Sequence, residues 1–213
     1  MPVRAPIAHV LFDESHSQAW TIRPQVAARM QPSHPADSSY ADAAAALAAH
    51  DFQTVAHTDG LLDEATLRGA DVLVIAHPSE DRWERTVPGG SPRFAEAELA
   101  AITAFVHAGG GLIVLGETEQ DKYGTNLNAL VERFGLTVAN DTVSDYTHHH
   151  AGAPHWVLAD LQSGGPRTEV DLLARVHAAC FYRAGTLDVT ADGAPARVLA
   201  RAGSSSSAPG AAL

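Results

Sequence analysis

Short apolar runs punctuate the first two thirds of the chain. HVLFD (9–13), FQTVAHT (52–58), DVLVIAHP (71–78), LIVLGE (112–117) and LTVAND (136–141) have the length and unbroken character of buried strands. The stretches between them follow a different period. Tyr40, Ala43, Ala44 and Leu47 recur at i, i+3, i+4 and i+7, as do Leu127, Leu130, Val131 and Phe134. Leu99, Ile102, Phe105 and Val106 form a similar stripe. Such spacing puts apolar side chains on one face of a helix. Asp37, Ser38 and Ser39 precede the first stripe and Thr125 the last, as helix caps do. A short helix is also expected in LDEATLRGA (62–70).

Strand and helix therefore alternate from residue 9 to 141. This predicts an α/β fold with a doubly wound, mostly parallel sheet covered on both faces, a flavodoxin-like three-layer sandwich. Beyond it the rhythm weakens. HWVLADL, ACFYRAGTLDV and ARVLARAG predict a less regular, strand-rich C-terminal part with antiparallel pairing. The expected organisation is a single domain over residues 1–202, with 14–38 a long Pro-, Ser- and His-rich loop insertion and 203–213 a disordered low-complexity tail.

Composition narrows the partners. The 213 residues carry a formal charge of -11 and lysine only at Lys122, so nucleic acid is excluded as a natural partner. No apolar stretch approaches the roughly 18 residues of a membrane span, so no membrane insertion is expected. Cys180 is the single cysteine and has no intrachain partner. With no apolar leader at the start, these features predict a cytoplasmic protein.

The stretch GETEQDKYGTNLNALVERFGLTVANDTV (116–143) combines a strand ending in Gly-Glu, an acidic loop, Thr-Asn-x-Asn-x-Leu, a helix, Phe-Gly and a closing Asn-Asp. It resembles the GIFT domain, shared by intraflagellar transport proteins and gliding-motility transporter subunits and related to the class I glutamine-amidotransferase-like fold. ADVLVIAHPS and FAEAELAAITAFVHAGGGLIVLGE continue the likeness upstream, and HVLFDES extends it loosely, so that it covers roughly residues 9–145. It implies a ligand- or partner-binding role, with carbohydrate among the candidate ligands. Amidotransferase catalysis needs a cysteine nucleophile where a helix follows LIVLGE, and this chain has Thr118 and Glu119 there. Whether any other reaction is catalysed stays open at this level.

Ligands of open α/β sheets bind beyond the carboxyl ends of the strands. Here those ends offer Glu14, Ser15, His16 and Trp20, then His77, then Glu117, Glu119 and Asn126, the expected ligand-binding set. Imidazoles and carboxylates also suit a divalent metal, with His16, His77 and His148 as expected ligands. The triplet 148–150 cannot all face one ion, because an extended chain alternates its side chains. The glycine run 109–111 follows a helix and precedes a strand, the reverse of a phosphate loop, and reads as a helix stop.

The leading expectation is thus a non-catalytic domain binding a carbohydrate or another hydroxyl-rich small molecule at the rim. One alternative is a metal-dependent hydrolase or lyase using the same rim. The other is a scaffold for a protein partner.

Overall fold

The computed structural model describes residues 5–30, 32, 39–83, 90–162, 172–190 and 196–209. These fall into two compact units, Met1–Leu115 with Lys122–Leu130, and Gly116–Asp121 with Val131–Leu213.

In the first unit, β1 (His9–Asp13) is followed by α1 (Pro24–Met30) and α2 (Ala41–Ala49). Next come β2 (Gln53–His57), α3 (Glu64–Leu67), β3 (Val72–Ala76), α4 (Glu96–His107) and β4 (Gly111–Leu115). The four strands form one parallel sheet in the order β2-β1-β3-β4. Alternation then sorts the side chains. Val10, Phe12 and Val74 share a face and gather Ile22, Tyr40, Leu47, Phe52, Val72 and Leu115. Leu73 and Ile75 point the other way and are wholly buried, so β3 is covered on both sides.

Local signals explain most of the boundaries. Asp63 Oδ1 caps α3 by accepting the Thr66 amide at 2.8 Å, whereas Ser39 Oγ accepts the Ala41 amide at 3.0 Å from one position before the α2 N-cap, which is Tyr40 and makes no side-chain cap bond. The other expected caps of α2, Asp37 and Ser38, lie outside the described residues. Gly109 stops α4 with a φ of 102°, and a Cβ on Gly110 would overlap the Phe105 ring. The 14–38 insertion is not all loop. Pro24 opens α1 at the position where a missing N–H costs nothing, and Val26 and Ala27 are buried.

The second unit differs from expectation in two places. After α5 (Leu127–Val131) and a 3-10 turn ended by Gly135 at φ 73°, β5 (Leu136–Val138) does not extend the parallel sheet. Later in the chain come β6 (Ser144–Asp145), β7 (Trp156–Leu161), β8 (Ala179–Tyr182), β9 (Leu187–Val189), β10 (Ala200–Arg201) and β11 (Ser206–Ser207). β5 pairs antiparallel with β9, and β10-β7-β8 form an antiparallel sheet. ACFYRAGTLDV forms two strands, β8 and β9, separated where Arg183 turns the chain at a left-handed φ of 48°.

The second departure is the serine-rich end. Residues 203–207 are ordered, with β11 paired antiparallel to β6. Their anchor is Asp145, buried, whose carboxylate takes the amides of Thr147 and His148 and the hydroxyls of Ser205 and Ser206. The His148 amide, with that of Thr147 and the two hydroxyls, holds this carboxyl well below the usual carboxylate range against its own burial. Its contribution is present above the ordinary carboxylate pKa and is lost only in much stronger acid. Asp145→Ala is therefore expected to abolish amide-exchange protection at Ser206 and Ser207 while leaving β1 and β3 protected. Equal protection at the two serines in wild type and variant would show that Asp145 is not the anchor.

Candidate functional site

The carboxyl end of β1 carries a dense polar cluster. Asp13 has a fully buried side chain. Its Oδ1 accepts the Ser15 amide at 3.0 Å and Ser15 Oγ at 2.8 Å. Its Oδ2 accepts Gln18 Nε2 at 2.8 Å and meets His16 Nδ1 at 2.9 Å. The other ring nitrogen of His16, Nε2, lies 3.2 Å from Glu98 Oε1 on α4. Phe94 covers the imidazole, ring centroids 4.2 Å apart. Glu98 in turn accepts the Leu62 amide at 3.0 Å and the Ala95 amide at 2.8 Å. One imidazole thus joins two buried carboxylates from different elements.

Burial opposes charge on His16, but the hydrogen bond to Asp13 and the charges of Asp13 and Glu98 outweigh it, so its pKa is raised above 6.5. The cluster forms part of the wall of a cavity of about 710 Å³ between residues 58–61, 90–95 and the β1 end. Gly90 allows this wall to close. It sits at φ 67° against the Ser15 carbonyl, where a Cβ would overlap backbone, and its own carbonyl accepts Ser17 Oγ at 2.8 Å.

The other expected ligand residues are engaged by the chain itself. Glu14 is buried and accepts Thr21 Oγ1, the Ile22 amide and Arg23 Nε at 2.8, 2.8 and 2.7 Å, which closes the loop back on β1. Trp20 packs on Tyr40. Asn126 clasps the Phe94 backbone in both directions, at 2.8 and 2.9 Å. Glu117 accepts the Thr118 amide, and the Glu119 amide donates to the Asp141 carbonyl. Thr118 also meets Thr142, and Asp121 binds Asn140 through its amide, so the acidic loop is laced to 140–142. This stretch is a joint within the second unit.

His77 stands apart. It follows β3 at a left-handed φ of 49°, is 2% exposed, and presents its ring edge-on to Tyr123 at 4.3 Å. Neither ring nitrogen meets a protein hydrogen-bond partner among the described residues. Burial, with help from the Lys122 charge, lowers its pKa to about 3.

Two of the three histidines expected to hold a metal have protein partners instead. Both His16 nitrogens face carboxylates, and His148 Nδ1 meets Ser205 Oγ at 3.1 Å. Among the described residues no group of three or more His, Cys, Asp or Glu is disposed to hold an ion. The triplet lies in bends between β6 and β7 and its side chains part company, with His150 stacked on Trp156 while His148 turns to Ser205.

Glu98 was missed by sequence reasoning. It reads as an acid in the first turn of a helix, where acids are common. The available signal was position, because Glu98 lies four residues before Ile102 on the buried stripe.

The model of the IFT52 GIFT domain matches residues 49–159 of the chain. The chain belongs to this family. The intraflagellar transport protein 52 homolog of Homo sapiens is 31% identical over 118 residues, 54% of this chain and 24% of the human protein. The Mus musculus homolog is 36% identical over 56 residues, 26% of this chain and 13% of the mouse protein. The chain therefore spans only about a quarter of the human relative and less of the mouse one. Among solved structures, the mmIFT52 N-terminal domain superposes with a TM-score of 0.66 at 19% identity, over 93% of this chain and 75% of that one, a likeness of fold.

These matches overturn the expectation of a domain for carbohydrate or another hydroxyl-rich small molecule. The relatives are named for transport, and most of the rim groups expected to face a ligand are bonded within the chain itself. None of its described helices is long and apolar enough to cross a membrane.

Proposed function

We propose that this GIFT domain is a non-catalytic protein-interaction module of an intraflagellar-transport-type assembly, working on its cytoplasmic side. Family membership is the observation that carries the reading. The surface of the second unit supports it. Trp156, Phe181 and Tyr182 are 40%, 46% and 55% exposed on β7 and β8, and Leu187 and Val189 on β9 are 64% and 49% exposed. His150, Trp156 and Tyr182 form a continuous aromatic row, with centroids 5.6 and 5.3 Å apart. Clustered exposed aromatics mark protein interfaces more often than they mark idle surface. The parallel order β2-β1-β3-β4 further supports kinship with the flavodoxin-like, amidotransferase-like sandwiches.

The test is affinity purification of the full-length protein from its native cells, beside a Trp156→Ala/Tyr182→Ala variant. A stoichiometric protein partner is expected with the native protein, and the aromatic pair is expected to carry at least about tenfold of its affinity. Recovery of the native protein without any stoichiometric partner would overturn the reading, and equal recovery with the variant would remove the aromatic row from it.

A further inference from the structure

The His16 contacts join three segments that line one cavity. The β1 end supplies Asp13 and His16, α4 supplies Glu98, and the 58–62 loop reaches Glu98 through the Leu62 amide. A doubly protonated ring donates to both carboxylates. A neutral ring has one N–H and turns a lone pair on the other oxygen. The remaining proton belongs on Nδ1, where the contact is shorter, 2.9 against 3.2 Å, and where Asp13 lies in the same turn of chain. The proton that leaves is the one on Nε2, and it passes to water.

We propose that His16 is a proton-operated tie across this cavity, fastening the β1 end to α4 and the 58–62 loop when doubly protonated and releasing Glu98 when neutral. The surrounding charges are consistent with a single proton governing the contact. Asp13 and Glu98 face the ring directly, while Glu14 is turned onto Thr21, Ile22 and Arg23. From the opposite wall, Asp59 and Arg93 bring charges of both signs. Phe94 on the ring face adds none.

The sign is fixed by the raised pKa. The tie is complete below about 6.5 and is lost as pH rises through the higher folded value. This device is independent of the protein-interaction reading and rests on the cluster alone.

The experiment follows the His16 ring nitrogens by NMR from pH 6 to 9 and, in the same samples, the exchange protection of the Leu62 amide, corrected for intrinsic rates. Protection at Leu62 is expected to fall at least about tenfold with the His16 midpoint, which equals one pKa unit of coupling. In His16→Gln, which cannot carry the charge, that step is expected to vanish. In Glu98→Gln the His16 midpoint is expected to move down. Flat Leu62 protection through the His16 titration of the native chain would overturn the proposal, as would the same step persisting in His16→Gln. The native-chain measurement decides even if neither variant folds.

Discussion

Glu98→Ala is expected to lower the unfolding free energy by about 3–5 kcal/mol, the usual cost of removing one partner from a buried ion pair. The side chain is 2% exposed and answers three groups at once, the His16 ring and the amides of Leu62 and Ala95. Alanine leaves both amides without that acceptor and leaves His16 beside Asp13 alone. Glu98→Gln keeps the volume and one carbonyl acceptor, so a smaller loss is expected, near 1–2 kcal/mol. Urea denaturation at pH 6, where His16 is charged, measures both. A loss below 1 kcal/mol for Glu98→Ala would mean that water replaces the carboxylate freely and that the cluster is not closed. The exposed pair Arg68–Glu64 on α3, at 3.1 Å, is the internal control, because disrupting it is expected to change stability by less than about 0.5 kcal/mol.

The contrast between Glu98 and Glu64 shows how far a sequence can be read here. Both are acids in the first turn of a helix, and pattern alone gives them one meaning. β1, β3 and β4 were legible because their apolar runs are unbroken, and α4 because Leu99 and Ile102 keep its period. LTVAND read as one more buried strand, yet β5 joins β9, which lies about fifty residues away, and no local pattern records that choice. The polar rim was legible as a place but not as a chemistry. Glu14 looked available at the end of a strand, and its partners Thr21 and Arg23 sat within the loop insertion, where no periodic pattern announces a contact. The GIFT resemblance was correctly read from 116–143, while the carbohydrate reading attached to it was overturned by the transport relatives. Residue types named the groups that could bind something, and only packing revealed that they bind one another.

His77 gives the second large effect, as a slope against pH. Its folded pKa of about 3 lies below the 6.5 of a free imidazole, so between those values the unfolded chain holds a proton that the folded chain does not. Stability is therefore complete above about 6.5 and drains away as pH falls toward 3. For one such group the loss between pH 6 and pH 4 is roughly 2.5 kcal/mol. His16 does not obscure this, because its raised pKa acts above 6.5, in the opposite direction. Other carboxylates contribute to the acid slope, and a variant subtracts them. His77→Asn suits the purpose, since asparagine tolerates the left-handed φ of 49° and does not titrate. The variant is expected to be less stable at pH 7, because it loses the edge contact with Tyr123. It is also expected to lose about 2.5 kcal/mol less than the native chain between pH 6 and pH 4. Urea denaturation at each pH gives both numbers. Parallel pH curves would show that the imidazole is protonated in the folded protein, with the Tyr123 pocket open to water below neutral pH.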